Sequence, residues 1–78
     1  MPKLPALRSN EIIRVLGKVG FQVIRQKGGH VRMKHEDGRV VTIPIHAGKT
    51  IGIGLLRKIL HDAELTREEF IELLESDD

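Results

Sequence analysis

The chain has 78 residues, 31% of them charged and 40% hydrophobic, with a formal net charge of +2. A length in this range makes one domain, residues 1–78, that buries only about 60% of its unfolded surface; a deep cavity does not fit beside its core, so a site is expected on a shallow groove that meets a polymer. Cysteine is absent, which excludes a disulfide framework and a thiolate metal site and fits a cytoplasmic location, and no apolar run approaches the ~20 residues that span a membrane or forms a signal-peptide core.

Residues 1–8 carry Pro2 and Pro5 and are expected to form a flexible tail. Ser9 or Asn10 is placed to cap a first helix over about 10–19, with Glu11 complementing its dipole. Ile12, Leu16 and Val19 recur at helical spacing, and Gly20 supplies the stop. Residues 21–26 read as a strand with Phe21 and Val23 on one face. Gly28-Gly29 then turns the chain into a second strand, about 30–35. A three-residue loop around Gly38 leads to a third strand, about 39–45. This loop length sets Val31 opposite Ile43 and Met33 opposite Val41, whereas a two-residue loop scrambles the apolar face. The segment His46–Gly52 reads as a loop. A second helix over 53–63 has Leu55, Leu56, Ile59, Leu60 and Ala63 as its apolar stripe. Thr66 and Glu69 fit a capping box for a third helix, about 67–75. The expected class is α+β, in the order α-β-β-β-α with an extra short C-terminal helix.

Charge divides along this order. Residues 1–60 hold twelve Lys/Arg against three Asp/Glu, whereas 61–78 hold one against eight. A basic body with an acidic helix at 66–78 reads as a polyanion-binding surface. Only Phe21 and Phe70 are aromatic, which argues against a platform of stacked bases.

Two familiar phosphate motifs fail. Gly48-Lys49-Thr50 resembles the end of a P-loop, but Ile43 stands where the first glycine belongs. Gly52-Ile53-Gly54 lacks the third glycine of a dinucleotide turn. The four histidines do not converge with carboxylates at metal-ligand spacing, so no metal or other cofactor is expected. His61 is placed near the end of the second helix, on the surface.

The stretch from Lys27 to His35 is the most informative. Successive side chains of a strand point to opposite faces, so His30, Arg32 and Lys34 share one face while Val31 and Met33 face the core. Arg25 or its neighbours join the open face. A proton-transfer group among fixed positive charges suits a phosphodiester. Nothing else in the basic half offers nucleophilic or paired-carboxylate chemistry, so His30 is the candidate general acid/base. In RNA the 2′-hydroxyl is a built-in nucleophile, so the chemistry points to RNA rather than DNA and needs no metal. The alternatives are a non-catalytic RNA-binding module of the same fold and a basic face that docks an acidic protein.

Four features in order resemble the HicA (YcfA-like) family of toxin–antitoxin mRNA interferases: a helix leading into Val19-Gly20-Phe21, the turn Arg25 to His30, the strand end Thr42-Ile43-Pro44-Ile45-His46, and the helix start Gly54 to Leu60. The resemblance covers about residues 9–65. It implies a small double-stranded-RNA-binding-domain-like fold, endonucleolytic cleavage of mRNA, a stress-response role and inhibition by a HicB-type antitoxin protein. It places the catalytic histidine at His30; on the reading of the strand face and its turn, Lys27, Gly28, Gly29, Arg32 and Lys34 are the expected RNA contacts. The chain departs from the family pattern at Gly29 and Val31, where polar residues are common, and at Glu64, where the family usually has glycine after the second helix and where an extended helix is one reading.

Overall fold

A computed structural model of the chain describes residues 3–45 and 48–76. Its elements are β1 (Leu7–Arg8), α1 (Ser9–Lys18), β2 (Gln22–Lys27), β3 (His30–Lys34), β4 (Val40–Pro44), β5 (Thr50–Ile51), α2 (Ile53–Ala63) and α3 (Arg67–Glu75). β2, β3 and β4 form an antiparallel sheet in that order, and β1 pairs with β5 in a separate two-stranded ribbon. The architecture is α+β and is consistent with a small double-stranded-RNA-binding-domain-like fold.

The expected register holds. Val31 pairs with Ile43 and Met33 with Val41. The His35 amide donates to the Arg39 carbonyl at 2.9 Å, which closes a three-residue loop with Gly38 at φ 102°. Alternation then sends Val31, Met33, Val41 and Ile43 to one face, where they are buried with Leu56, Ile12, Leu16 and Phe70. Both helix spans expected after the sheet match their elements, and the Thr66 capping box forms as expected. Glu69 donates its amide to Thr66 Oγ1 at 3.0 Å, and Glu69 Oε1 accepts from the Thr66 amide at 2.9 Å.

The N-terminal segment corrects the expectation of a flexible tail. Leu4 and Leu7 are both 6% exposed, within the core cluster, and Leu7–Arg8 pairs with Thr50–Ile51. That pairing holds Arg8 extended, so α1 begins directly after it. Arg8 rather than Ser9 or Asn10 is the N-cap residue, and its amide donates to Glu11 Oε1 at 3.0 Å. Ser9 lies buried inside the first turn. The same pairing replaces part of the loop expected over 46–52; His46 and Ala47 lie outside the described residues.

β2 also differs from expectation. Phe21 is buried, but every residue of β2 is exposed, and Val23 and Ile24 are 50% and 54% exposed. The helices pack on the β4 side of the sheet, so β2 overhangs them. A β-bulge between Val23 and Arg25 breaks the simple alternation.

The chain after α2 is the last difference. Glu64 does not extend the helix. It adopts the left-handed conformation, φ 57° and ψ 41°, and the next amide, of Leu65, donates to the Leu60 carbonyl at 3.0 Å. This is the backbone shape of a glycine-type helix stop, built on a glutamate. α3 then returns across α1, buries Phe70 completely, and is held there by Lys18, whose Nζ donates to the carbonyls of Leu73 and Ser76 at 2.8 Å each.

Candidate functional site

The open face of the sheet is built by the β2–β3 hairpin and β4. Gly28 takes φ 60° at the turn, a conformation that side chains with a Cβ adopt at a cost. Gly29 meets no such restraint, and a Cβ there makes only an ordinary 3.5 Å contact with the Ile45 carbonyl. The turn sets Lys27 directly opposite His30, and β4 adds Pro44 on the other side of His30. One step along the face, Arg25, Arg32 and Thr42 form the next cross-strand row. Paired side chains on one face stand about 4.5–5.5 Å apart at Cβ, so Lys27 is the near neighbour of His30, and Arg25 and Arg32 share its depression one row further along. None of Arg25, Lys27, Arg32 or Lys34 has a carboxylate partner among the described residues.

Of the residues expected at the site, Lys27, Gly28, Gly29, His30 and Arg32 are brought together. Lys34 shares their strand face but lies at its far end, against Gln22, Ile24 and His35 in a separate depression. Arg25 and Thr42 join the His30 cluster and line a depression of about 200 Å³ with Lys27 and Arg32. Thr42 was within reach of sequence reasoning, because the Val31–Ile43 register places it opposite Arg32.

A larger groove of about 700 Å³ flanks His30 on its other side, between β4 and α2. Its α2 wall consists of Leu55, Lys58, Ile59 and Asp62, the i, i+3, i+4, i+7 stripe of one helix face. Leu55, expected in the core stripe, is 37% exposed and belongs to this wall instead. Val40 and Pro44 supply apolar surface from the sheet. Lys58 Nζ donates to Asp62 Oδ2 at 2.9 Å, and this hydrogen bond holds the Asp62 carboxyl below the usual carboxylate range.

The other described histidines have different surroundings. His35 is part-buried: its Nδ1 accepts from the Asp37 amide at 3.1 Å, which assigns the Nε2 proton to a 3.0 Å hydrogen bond donated to the Val19 carbonyl. Its ring meets Phe21 edge-on at 5.3 Å between centroids. A Cβ on Gly20 would stand 2.9 Å from His35 Nε2, so the helix stop and the ring fit only with glycine. Arg39 lies over the Phe21 ring at 5.1 Å, pairs with Asp37 at 2.8 Å, and donates to the Ala63 carbonyl at the end of α2. His35 is therefore a tie between α1, the β3–β4 loop and Phe21. His61 is exposed on α2. No group of three His, Asp or Glu able to hold a metal occurs among the described residues. Among the same residues no helix is long and apolar enough to cross a membrane.

A family model described as the HicA toxin of bacterial toxin–antitoxin systems matches residues 9–65, well over half of the chain. The chain belongs to the HicA toxin family. No curated protein matches it. Membership in the HicA family makes the chain a toxin that works against an antitoxin partner. The HicA match takes in every residue of the His30 cluster and the groove beside it, and ends at Leu65, one residue past the left-handed Glu64. α3 lies beyond the HicA match but inside the fold, since Phe70 belongs to the core.

Proposed function

We propose that this toxin is a metal-independent endoribonuclease that cleaves mRNA, with His30 as its general acid/base. The observation that carries the reading is the exposed His30 set among Lys27, Arg25 and Arg32, cations without carboxylate partners among the described residues. Histidine exchanges protons near neutrality, and cations left unpaired beside it suit a polyanion.

The reaction follows from the substrate's own nucleophile. His30 takes the proton of an RNA 2′-hydroxyl as the 2′-oxygen attacks the adjacent phosphorus. The bond from phosphorus to the 5′-oxygen breaks, and the imidazolium returns a proton to that oxygen. The products are a 2′,3′-cyclic phosphate and a 5′-hydroxyl. Arg32, Arg25 and Lys27 stabilise the charge gathered on the phosphorane oxygens. Gly28 and Gly29 let the RNA backbone approach the turn closely, and Lys34 holds the strand further along the face. On this reading residues 1–78 act as one domain in the cytoplasm, where mRNA is found, and a HicB-type antitoxin silences it.

The test is cleavage of a defined RNA in the presence of EDTA. Wild-type protein is expected to cut it and leave the cyclic or 3′-phosphate end. His30→Ala is expected to bind the RNA with little change and to lose cleavage by about 10²–10⁴-fold. Binding without any cleavage by the wild type selects a non-catalytic RNA-binding module instead.

A further inference from the structure

Two depressions meet at His30, and only one of them has an apolar floor. The one on the β2 side is walled by Arg25, Lys27 and Arg32, and suits phosphates. The one on the α2 side, about 700 Å³, has Val40, Pro44, Leu55 and Ile59 as apolar surface, with His30, Arg32, Thr42, Lys58 and Asp62 as its polar groups. His30, Arg32 and Thr42 border both. Arg32 and Lys58 on the rim of the α2-side groove can meet a phosphate, but the aliphatic floor of Val40, Pro44, Leu55 and Ile59 offers it no partner. A nucleobase suits that floor, because it has two apolar faces and a rim of donors and acceptors. The volume is within the range of clefts that hold small ligands, about 300–1,000 Å³. Neither phenylalanine ring is free to stack a base, since Phe21 and Phe70 are both buried. The aliphatic surface beside His30 is the alternative the fold offers.

We infer that the groove between β4 and α2 is a nucleobase subsite, which receives the base of a nucleotide flanking the scissile phosphate and sets which RNA sequences are cut. The inference rests on the ribonuclease reading of His30. A ribose whose 2′-hydroxyl lies against His30 has its phosphates drawn to the Arg25–Lys27–Arg32 side, which leaves its base to the opposite side. Leu55 and Pro44 cover the faces of that base. Asp62, kept ionised by Lys58, accepts from an exocyclic amino group, as carboxylates do from cytosine N4. Lys58 donates to a carbonyl or ring acceptor on the same rim. The subsite therefore favours bases that present an amino group.

The experiment uses the full chain and an RNA oligonucleotide whose cut site is mapped, together with versions that are abasic at one or the other flanking nucleotide. For wild-type protein, one of the two abasic substrates is expected to lose about tenfold in kcat/KM, the scale of one base contact. Leu55→Asn is expected to cut the intact RNA about tenfold more slowly and to be nearly indifferent to that abasic change. Asp62→Asn is expected to redistribute cleavage on a random-sequence pool away from amino-bearing bases. Ile53→Asn, exposed on the same helix but outside the groove, serves as the control with an unchanged profile. If wild-type protein cuts both abasic RNAs as fast as the intact one, the subsite is overturned while the ribonuclease reading stands. If Leu55→Asn and Asp62→Asn keep the wild-type profile but escape antitoxin inhibition, the groove is the seat of the protein partner and the inference falls. Wild-type protein that cuts no RNA overturns both readings together.

Discussion

His35 Nε2 donates to the Val19 carbonyl at 3.0 Å and so ties the end of β3 to the end of α1. His30, five residues earlier, has its side chain on the open face, and its imidazole forms no hydrogen bond among the described residues. The two histidines should separate cleanly in mutation. His35→Ala removes a part-buried hydrogen bond and the edge contact to Phe21, and is expected to cost about 1–3 kcal/mol in urea unfolding. His30→Ala is expected to stay within about 0.5 kcal/mol of wild type while it abolishes RNA cleavage. A large stability loss at His30 contradicts its placement on the open face.

The cations around His30 make a prediction about salt. Each phosphate contact to a single strand contributes about 0.7 to the slope of log affinity against log salt. Lys27→Ala and Arg32→Ala should each weaken binding to all RNAs alike and flatten that slope by about this amount. Lys34→Ala should do so only for RNAs long enough to run along β3, because Lys34 lies in a separate depression. Titrations of short and long oligonucleotides at several salt concentrations distinguish the two behaviours.

Two positions carry positive φ for opposite reasons, and they predict opposite signs. Glu64 holds φ 57° with a side chain, a conformation that costs a residue with a Cβ about 1–2 kcal/mol. Glu64→Gly should raise stability by about 1 kcal/mol without touching the open face. Gly28 holds φ 60° at the hairpin turn, and Gly28→Ala should lower stability by about 1 kcal/mol. Gly29→Ser should be near neutral, since its Cβ would make only an ordinary 3.5 Å contact with the Ile45 carbonyl. Denaturant midpoints for the three variants check the set.

The capping box of α3 predicts an acid-side loss of stability. Hydrogen bonds from Thr66, backbone and side chain, hold the Glu69 carboxyl below its ordinary value of 4.5. A folded value below the unfolded one means that the contribution is present above about 4.5 and disappears as pH falls through the folded value. Urea midpoints measured at pH 6 and pH 3 should fall on acidification, and Glu69→Gln should show a smaller fall than wild type. An equal fall in the two proteins assigns the acid sensitivity elsewhere.

What the sequence made legible follows from periodicity. Val31, Met33, Val41 and Ile43 alternate strictly, so one loop length satisfied them all, and with it the open face of His30 and Arg32 was determined. Thr66 and Glu69 announced α3 through hydrogen-bond chemistry. The pairing of Leu7–Arg8 with Thr50–Ile51 spans two residues on each side, too short for any period, and it carries Leu4 and Leu7 into a core that their neighbouring prolines disguised. Val23 looked like a core residue because alternation says which way a side chain points, not whether a helix lies beneath it. Leu55 failed for the converse reason. It sits at helical spacing with Leu56 and Ile59, but the position of α2 alongside β4 turns it outward. The groove beside His30 depends on that helix placement and was invisible before it.

The charge division along the chain has a spatial meaning once α3 is seen to pack on α1, on the helical side of the sheet. Glu68, Glu69, Glu72 and Glu75 lie on or near that side, and the His30 cations occupy the other. The molecule is thus a fixed electric dipole. A torque acts on such a body as it nears a polyanion, before any contact forms. On the ribonuclease reading, such a torque would turn the sheet toward an approaching RNA and the acidic helix away, so that a larger share of collisions would begin in the right orientation. On that same reading the acidic segment, remote from the His30 cluster, would contribute to how fast substrate is captured.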